Sequence, residues 1–450
     1  MNLRERIDTS PMSPYQWVII GLCVLLNCLD GFDVAAMAFT ATPVADEFGL
    51  SGSELGVLLS AGLVGMAVGS LALAPIADTI GRRPLILISL GLASAGMLLG
   101  SVSTSALMLG GTRLITGLGV GGILACTNVI ASEYSSTSRR GLAIGIYTAG
   151  YGIGASIGGL AAASLQEQLG WRSIFVFGGV ATAAALVLLA ALLPESVDFL
   201  LAKRPANTLD KLNRITARIR QPQVTEEDLA GTPTGVSLAS PEKKAHPGML
   251  LSGGLRPSTL LVWVAFFTTM YGFYFVNSWT PQLLVTSGLS TQQGVTGGLA
   301  LALGGTVGSV LYGVVATRRD NRRVLIGFTV LAAIAMVLFI SSTAYLALAL
   351  AVGVVVGALI NGCIAGLYTI TPALYETRLR STGIGWGIGI GRIGAILAPL
   401  ATGRLLDASW SPVQLYVVAA VIVTISAGAL VALGRVQRRA LAPDREAITA

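Results

Sequence analysis

Asp30 and Asp33 stand three residues apart inside a long apolar run, about 17–39, in the sequence Asp30-Gly31-Phe32-Asp33. That spacing places both on one face of a helix. A carboxylate within the bilayer is costly, so acids there are rare and mark ion or proton pathways. Two of them, close enough to couple, predict a site that takes up and releases protons. Arg113 lies in another apolar run, at a depth like that of the two acids. An arginine and a carboxylate at one depth are expected to pair, since neither tolerates lipid alone. The pair is either a static bridge or a device by which Arg113 tunes proton binding and couples it to substrate. Arg392 poses the opposite problem. It sits near the centre of the eleventh apolar run, and no acid stands in any run of the second half. A buried cation needs an anion. The candidates are a substrate carboxylate, or Asp30 or Asp33 across the protein.

These residues need elements that hold them within a membrane. The chain has 450 residues, 53% apolar and 11% charged, where a soluble domain carries roughly a quarter charged residues. Its apolar residues fall into twelve runs of about 20, the length of a membrane-crossing helix: 17–39, 54–77, 84–103, 106–130, 141–164, 171–193, 257–280, 293–316, 323–341, 344–370, 382–403 and 412–434. Strands are disfavoured, because lipid tolerates only helices or closed barrels with short alternating strands. The expected fold is an all-α membrane protein of twelve transmembrane helices. The first run is too long for a signal-peptide core and lacks a small-residue cleavage pattern, so it is retained.

The net charge of +7 does not call for nucleic acid. Of the 29 Lys and Arg, 25 fall in alternate connections and the two tails. The positive-inside rule then makes both termini and those connections cytoplasmic, in a multi-pass protein of the inner membrane. Cys23, Cys28, Cys126 and Cys363 all lie inside apolar runs and read as small packing residues. His246, the one histidine, has no ligand partner nearby, so no metal centre is expected. No Gly-x-x-x-x-Gly-Lys-Ser/Thr and no nucleophile–base set is present. The chain is expected to be neither enzyme nor pump, and to carry no cofactor.

A polar stretch, 194–256, divides the runs six and six. The expected organisation is an N-terminal bundle (1–193), a linker (194–256) and a C-terminal bundle with its tail (257–450). Pro194 to Arg220 has helical spacing and basic character, and reads as a helix lying on the membrane surface. Thr232-Pro233-Thr234-Gly235 and His246-Pro247 read as flexible linker. The halves echo each other at an offset of 240: Arg82/Arg83 with Arg322/Arg323, Arg140 with Arg380, Gly145 and Gly154 with Gly385 and Gly394.

Two parallel six-helix repeats with a midplane site resemble the major facilitator superfamily. Ala74-Pro75-Ile76-Ala77-Asp78-Thr79-Ile80-Gly81-Arg82-Arg83 resembles its loop signature, Gly-x-x-x-Asp-x-x-Gly-Arg-Lys/Arg, with Ala74 for the leading glycine. Asp78 at a helix end can pair with Arg82 or cap a neighbouring helix, a latch suited to a gate. The second-half copy has Thr317 or Arg318 where the acid would stand. Arg113 to Gly122 resembles the superfamily's Arg-x-x-x-x-Gly-x-Gly pattern. Glu133-Tyr134 with Arg139-Arg140-Gly141 resembles a further gate signature, and Tyr375, Arg378 and Arg380 form its counterpart. Gly154-Ala155 replaces the Gly-Pro usual in antiporters, which favours uptake over export, although a glycine run also serves plain packing.

The Asp-Gly-x-Asp pattern, the loop signature and Arg392 together resemble the aromatic acid:proton symporters of that superfamily. The resemblance implies proton-coupled import of an aromatic carboxylate (benzoate, hydroxybenzoate, protocatechuate or gentisate) by alternating access, in a monomer whose partners are that acid, protons and the bilayer. It places proton coupling on Asp30, Asp33 and Arg113, and gating on Asp78, Gly81, Arg82, Arg83, Glu133, Arg140 and Arg380. Arg392 would receive the carboxylate. Tyr271, Tyr274, Tyr147, Tyr151 and Asn361 are candidates to line the cavity, the tyrosines stacking on the ring. Trp263 and Trp279 read as interface-belt residues, and Arg404 as facing water. A symporter for another organic anion, and a drug:proton antiporter of the same fold, are the alternatives.

Overall fold

The structure is a computed structural model that describes residues 3–205, 207–230 and 247–440. Among the described residues every regular element is helical. Two long series, α2–α7 and α11–α16, account for the twelve apolar runs. The first comprises α2 (Pro14–Phe48), α3 (Gly52–Ile80), α4 (Arg82–Ser101), α5 (Ala106–Glu133), α6 (Arg140–Leu169) and α7 (Arg172–Leu192). The second comprises α11 (Arg256–Thr286), α12 (Thr291–Ala316), α13 (Asn321–Ser341), α14 (Leu346–Ile370), α15 (Thr377–Asp407) and α16 (Pro412–Ala440). Short helices α1 (Leu3–Thr9), α8 (Val197–Lys203), α9 (Thr208–Ile219) and α10 (Glu226–Ala230) complete the set. Local sequence explains several helix starts. The Ser105 hydroxyl accepts from the Met108 amide, Ser290 and Gln293 form a reciprocal box on α12, and Asp320 accepts from the Arg323 amide; each satisfies an amide that the first turn leaves unbonded. The helices overrun the apolar runs. α2 continues to Phe48 through Pro43, beyond the apolar run and into residues such as Asp46 and Glu47 that are exposed.

Two corrections concern 194–256. Pro194 to Arg220 is not one helix but two, since Arg204 (φ 47°) and Asn207 (φ 60°) take left-handed conformations that end α8 and open α9. Nor does α9 lay its apolar face into lipid: Leu212, Ile215 and Ile219 belong to the protein core. The proposed linker signals Thr232–Gly235 and His246 lie outside the described residues. A further element, α1, was not expected; it is held by Leu3 and Ile7, both buried.

The chain gathers into two compact units whose limits fall within α2, α3 and α6. The first holds Met1–Asp33, Val64–Gly154 and Arg172–Lys244. There α4 packs on α5 and α7, around Cys23, Leu26, Ile86, Leu90, Ile130 and Tyr134. Where α2 crosses α6, Gly31 faces the carbonyl of Tyr151 and Gly154 faces that of Cys28, with no room for a Cβ at either. The fifth-span glycine run is thus a packing surface, the small-residue approach that membrane helices favour. The second unit holds Val34–Leu63, Ala155–Trp171 and Ala245–Ala450. There α11 packs on α15 and α16, and α14 on α12 and α13. Trp279 is fully buried in it, not at an interface, and Trp263 stacks on Trp386 at 5.6 Å between ring centres.

Within the second unit, Asp407 at the end of α15 grips the start of α3. Its carboxylate accepts from the amides of Gly52 (2.6 Å) and Ser53 (2.8 Å) and from the Ser53 hydroxyl. Gly52 and Gly56 lie directly on the backbone of Gly403 and Pro399. Ser60 donates to the Ile396 carbonyl at 3.0 Å. On α2 and α11, the Thr42 hydroxyl donates to Gln282, a pair separated by the same 240 residues as the sequence repeat.

Candidate functional site

Asp33 and Arg113 form a bidentate pair. Nη1 donates to Oδ1 and Nη2 to Oδ2, both at 2.7 Å, and Nη2 also reaches the Asp33 carbonyl at 3.2 Å. The two side chains are 4% and 3% exposed. The guanidinium lies 5.8 Å from the centre of the Phe175 ring. This planar fork is the geometry at which arginine outperforms lysine. The pairing expected from depth alone is present, and Arg113 directs both its NH2 groups to Asp33. Asp30 sits a turn earlier, 6% exposed.

The elements that fix this pair use another buried polar side chain. Asn27, one turn before Asp30, donates from Nδ2 to the carbonyls of Tyr147 (2.9 Å) and Thr148 (3.3 Å), which ties α2 to α6. The sequence reading missed it, although an asparagine in an apolar run is itself a signal.

Arg392, on α15, is half-buried. Among the described residues it has no hydrogen-bond or ion-pair partner; Tyr368 is the titratable group it influences. Two expected aromatic neighbours share its unit. Tyr271 is buried. Tyr274 is half-buried and meets Phe273 edge-on at 5.1 Å. Asn361 donates to the carbonyl of Gly357, four residues earlier on its own helix (2.9 Å), and packs on Gly305. In the first unit, Tyr147 is buried in the core and Tyr151 half-buried.

A family model described as Major Facilitator Superfamily matches residues 23–311. The chain belongs to the Major Facilitator Superfamily. Among similar facilitators, the gallate transporter of Pseudomonas putida is 34% identical over 410 residues, 90% of this chain and 89% of the relative. The 4-hydroxybenzoate transporter PcaK of Pseudomonas aeruginosa is 30% identical, covering 91% of both chains. These relatives bear out the resemblance to the aromatic acid:proton symporters, and a facilitator is a transporter, not an enzyme. The inward-open structure of the xylose transporter XylE from E. coli shares the fold at a TM-score of 0.73 and 16% identity, over 92% of this chain and 96% of that one. It supports the twelve-helix facilitator architecture.

The gate signature of this facilitator is organised around a residue the sequence reading missed. Glu195 Oε1 accepts from the amides of Arg82 (2.9 Å), Arg83 (3.1 Å) and Ser196 (2.8 Å), and so caps α4. Gly81 precedes that helix at φ 105°, and a Cβ there would meet Glu195 Oε2; glycine is required on both counts. Asp78 does pair with Arg82, at 3.2 Å, but is 70% exposed, so the bridge contributes at most about 1 kcal/mol. Arg83 donates to the Ala190 carbonyl (2.6 Å). Glu133 is buried and accepts from the Ser196 hydroxyl (2.6 Å). Arg140 pairs with Asp8 of α1. Arg380 is exposed and donates to the Pro372 carbonyl (3.1 Å). Arg404 is exposed, as expected.

Proposed function

We propose that this chain imports an aromatic carboxylate together with protons, by alternating access, across the inner membrane with both termini cytoplasmic. The observation that carries the substrate charge is Arg392: a half-buried guanidinium that has no protein anion among the described residues, in a family whose relatives are named for gallate and 4-hydroxybenzoate. The contrast with Arg113, whose two terminal nitrogens both bond Asp33, supports different work for the two arginines. Arg392 receives the carboxylate. Tyr271 and Tyr274 flank the ring, with Tyr147, Tyr151 and Asn361 as further candidates.

Asp30 and Asp33 carry the protons. When Asp33 takes a proton it yields a bond from Arg113, and that exchange couples proton binding to the helix that bears the arginine. Moving one charge across 100 mV is worth about 2.3 kcal/mol, so a monovalent anion and a single proton cancel. Use of the membrane potential therefore requires more than one proton per anion, which two acids in one span can supply. Radiolabelled gallate, 4-hydroxybenzoate and benzoate offered to right-side-out vesicles test this. The expected result is accumulation that a protonophore abolishes. Accumulation insensitive to the protonophore would refute the coupling, and failure of all three acids to enter would refute the substrate class.

A further inference from the structure

Beside the gate signature, in the first unit, lies a cavity of about 460 Å³ that no transport step uses. Its walls come from the basic ends of the spans: Tyr15 of α2, Arg83 and Pro84 at the start of α4, and Leu193 just past α7. α9 closes the other side. Lys211, Arg214 and Arg218 all line it, because a spacing of three and then four residues puts them on one helix face. The adjoining face of α9 is anchored by Leu212, Ile215 and Ile219 in the core, Ile215 also lining the cavity. The cations are therefore held on a fixed scaffold.

The charge of this cavity is unbalanced. Four cations line it against one carboxylate, Glu195, whose Oε1 already caps α4 with three amide bonds. Among the described residues, Arg83 and Arg218 bond neutral groups, the Ala190 carbonyl and the Tyr15 hydroxyl (2.9 Å); Arg218 also lies over the Tyr15 ring at 5.2 Å. Among the described residues, Lys211 and Arg214 have no hydrogen-bond or ion-pair partner for their side chains. Apolar groups complete the lining, including Ile80, Leu193 and Phe199, and Ile80 is 42% exposed. A phosphate matches the convergent arginines. The apolar wall, at the level where the spans end, matches glycerol and the first methylenes of a lipid. Basic pockets at this depth favour anionic headgroups.

We propose that this cavity binds the phosphate of an anionic phospholipid headgroup, with Arg83, Lys211, Arg214 and Arg218 as its ligands. A soluble organophosphate shares the phosphate chemistry but has no use for the apolar wall.

The test titrates the purified full-length protein in detergent with phosphatidylglycerol, and separately with phosphatidylethanolamine, glycerol phosphate and inorganic phosphate, reading bound ligand by native mass spectrometry. Each cation near an anionic headgroup is worth about 1 kcal/mol, or roughly fivefold in affinity. Lys211→Gln/Arg214→Gln should therefore weaken phosphatidylglycerol binding roughly 25-fold. Neither side chain holds the fold, so this pair keeps the test valid should a variant that also carries Arg218→Gln fail to fold. The control Arg318→Gln/Arg319→Gln removes the same charge elsewhere and should leave affinity within about twofold. Competition by glycerol phosphate, lost in the same pocket variant, would keep the phosphate site but assign it to a soluble ligand. Equal affinity of wild type and pocket variant, an equal loss in the control, or equal binding of phosphatidylethanolamine would overturn the proposal.

Discussion

Asp33→Asn and Arg113→Gln separate two roles of one ion pair, stability and coupling. Both side chains are almost wholly withdrawn from solvent, and they share two bonds of 2.7 Å. Removing either partner leaves the other charge buried and uncompensated, which costs about 3–5 kcal/mol. Removing both leaves two neutral amides and no bare charge, so the double variant should lose less than the two single losses combined. The double-mutant cycle should therefore return a coupling energy of about 3 kcal/mol or more, at the top of the range for residues in contact. Reversible unfolding in a graded SDS titration measures the four corners of the cycle. Transport is read in the same preparations after reconstitution, as protonophore-sensitive accumulation. Asp33→Asn is expected to lose accumulation, and so is Asp30→Asn. The double variant Asp33→Asn/Arg113→Gln should recover part of that stability but not accumulation. A double variant that accumulates normally would refute the coupling role. Single variants that lose less than about 1 kcal/mol would refute the energetic argument, since a buried charge would then have found compensation without its partner.

Three further outcomes are expected. Arg392→Lys should weaken substrate binding markedly and Arg392→Ala should abolish it, while benzamide should not compete; equilibrium binding of labelled acid checks this, and wild-type affinity in Arg392→Ala paired with Asp30→Asn would make the arginine a structural partner instead. Gly81→Ala should lower the thermal midpoint by an amount equivalent to about 1–3 kcal/mol, the cost of a strained backbone position, because φ is 105° and Glu195 occupies the Cβ space. Burial raises the Asp198 carboxyl above its usual range, with Arg4 and Arg82 only partly offsetting this. The folded state then holds its proton to higher pH than the unfolded chain, so stability is lost as pH rises above the ordinary carboxylate value of about 3.9. Asp198→Asn should accordingly stabilise the protein at pH 8 and lose that advantage toward pH 4, as read from thermal unfolding at both.

Features governed by hydrophobic length and by charge in lipid were legible in the sequence. All twelve helices and the pairing of Arg113 with a first-span acid follow from the cost of exposed backbone and bare charge in hydrocarbon. Helix ends were less legible, because a helix such as α2 runs on past its apolar stretch into polar, exposed residues. Contacts that join distant stretches through a single polar atom left no periodic trace. Glu195 capping α4 and Asp407 gripping α3 each depend on where another helix begins, and Asn27 bonding α6 depends on where that helix crosses α2. The break between α8 and α9 was legible but overlooked: Pro205 disfavours helix at Arg204, and Arg204 and Asn207 take left-handed conformations on either side of it.

The glycine seam between α3 and α15 has a kinetic consequence. Gly52 and Gly56 rest on backbone atoms of Gly403 and Pro399, so hardly any side chains interlock there. A seam of long side chains gives up about 0.5–1.5 kcal/mol of rotamer freedom for each one immobilised, and it must find the right rotamers again at every closure. Glycines have no rotamers to search. Parting this seam sacrifices dispersion contacts, the bonds to Asp407 and the Ser60 bond to the Ile396 carbonyl, and rejoining it needs little more than alignment of two smooth helix faces. Its closing rate should therefore depend weakly on temperature beside that of a side-chain seam. If the seam opens in the proposed alternating-access cycle, a single Gly56→Leu should slow its closure, even with the closed form repacked to equal stability.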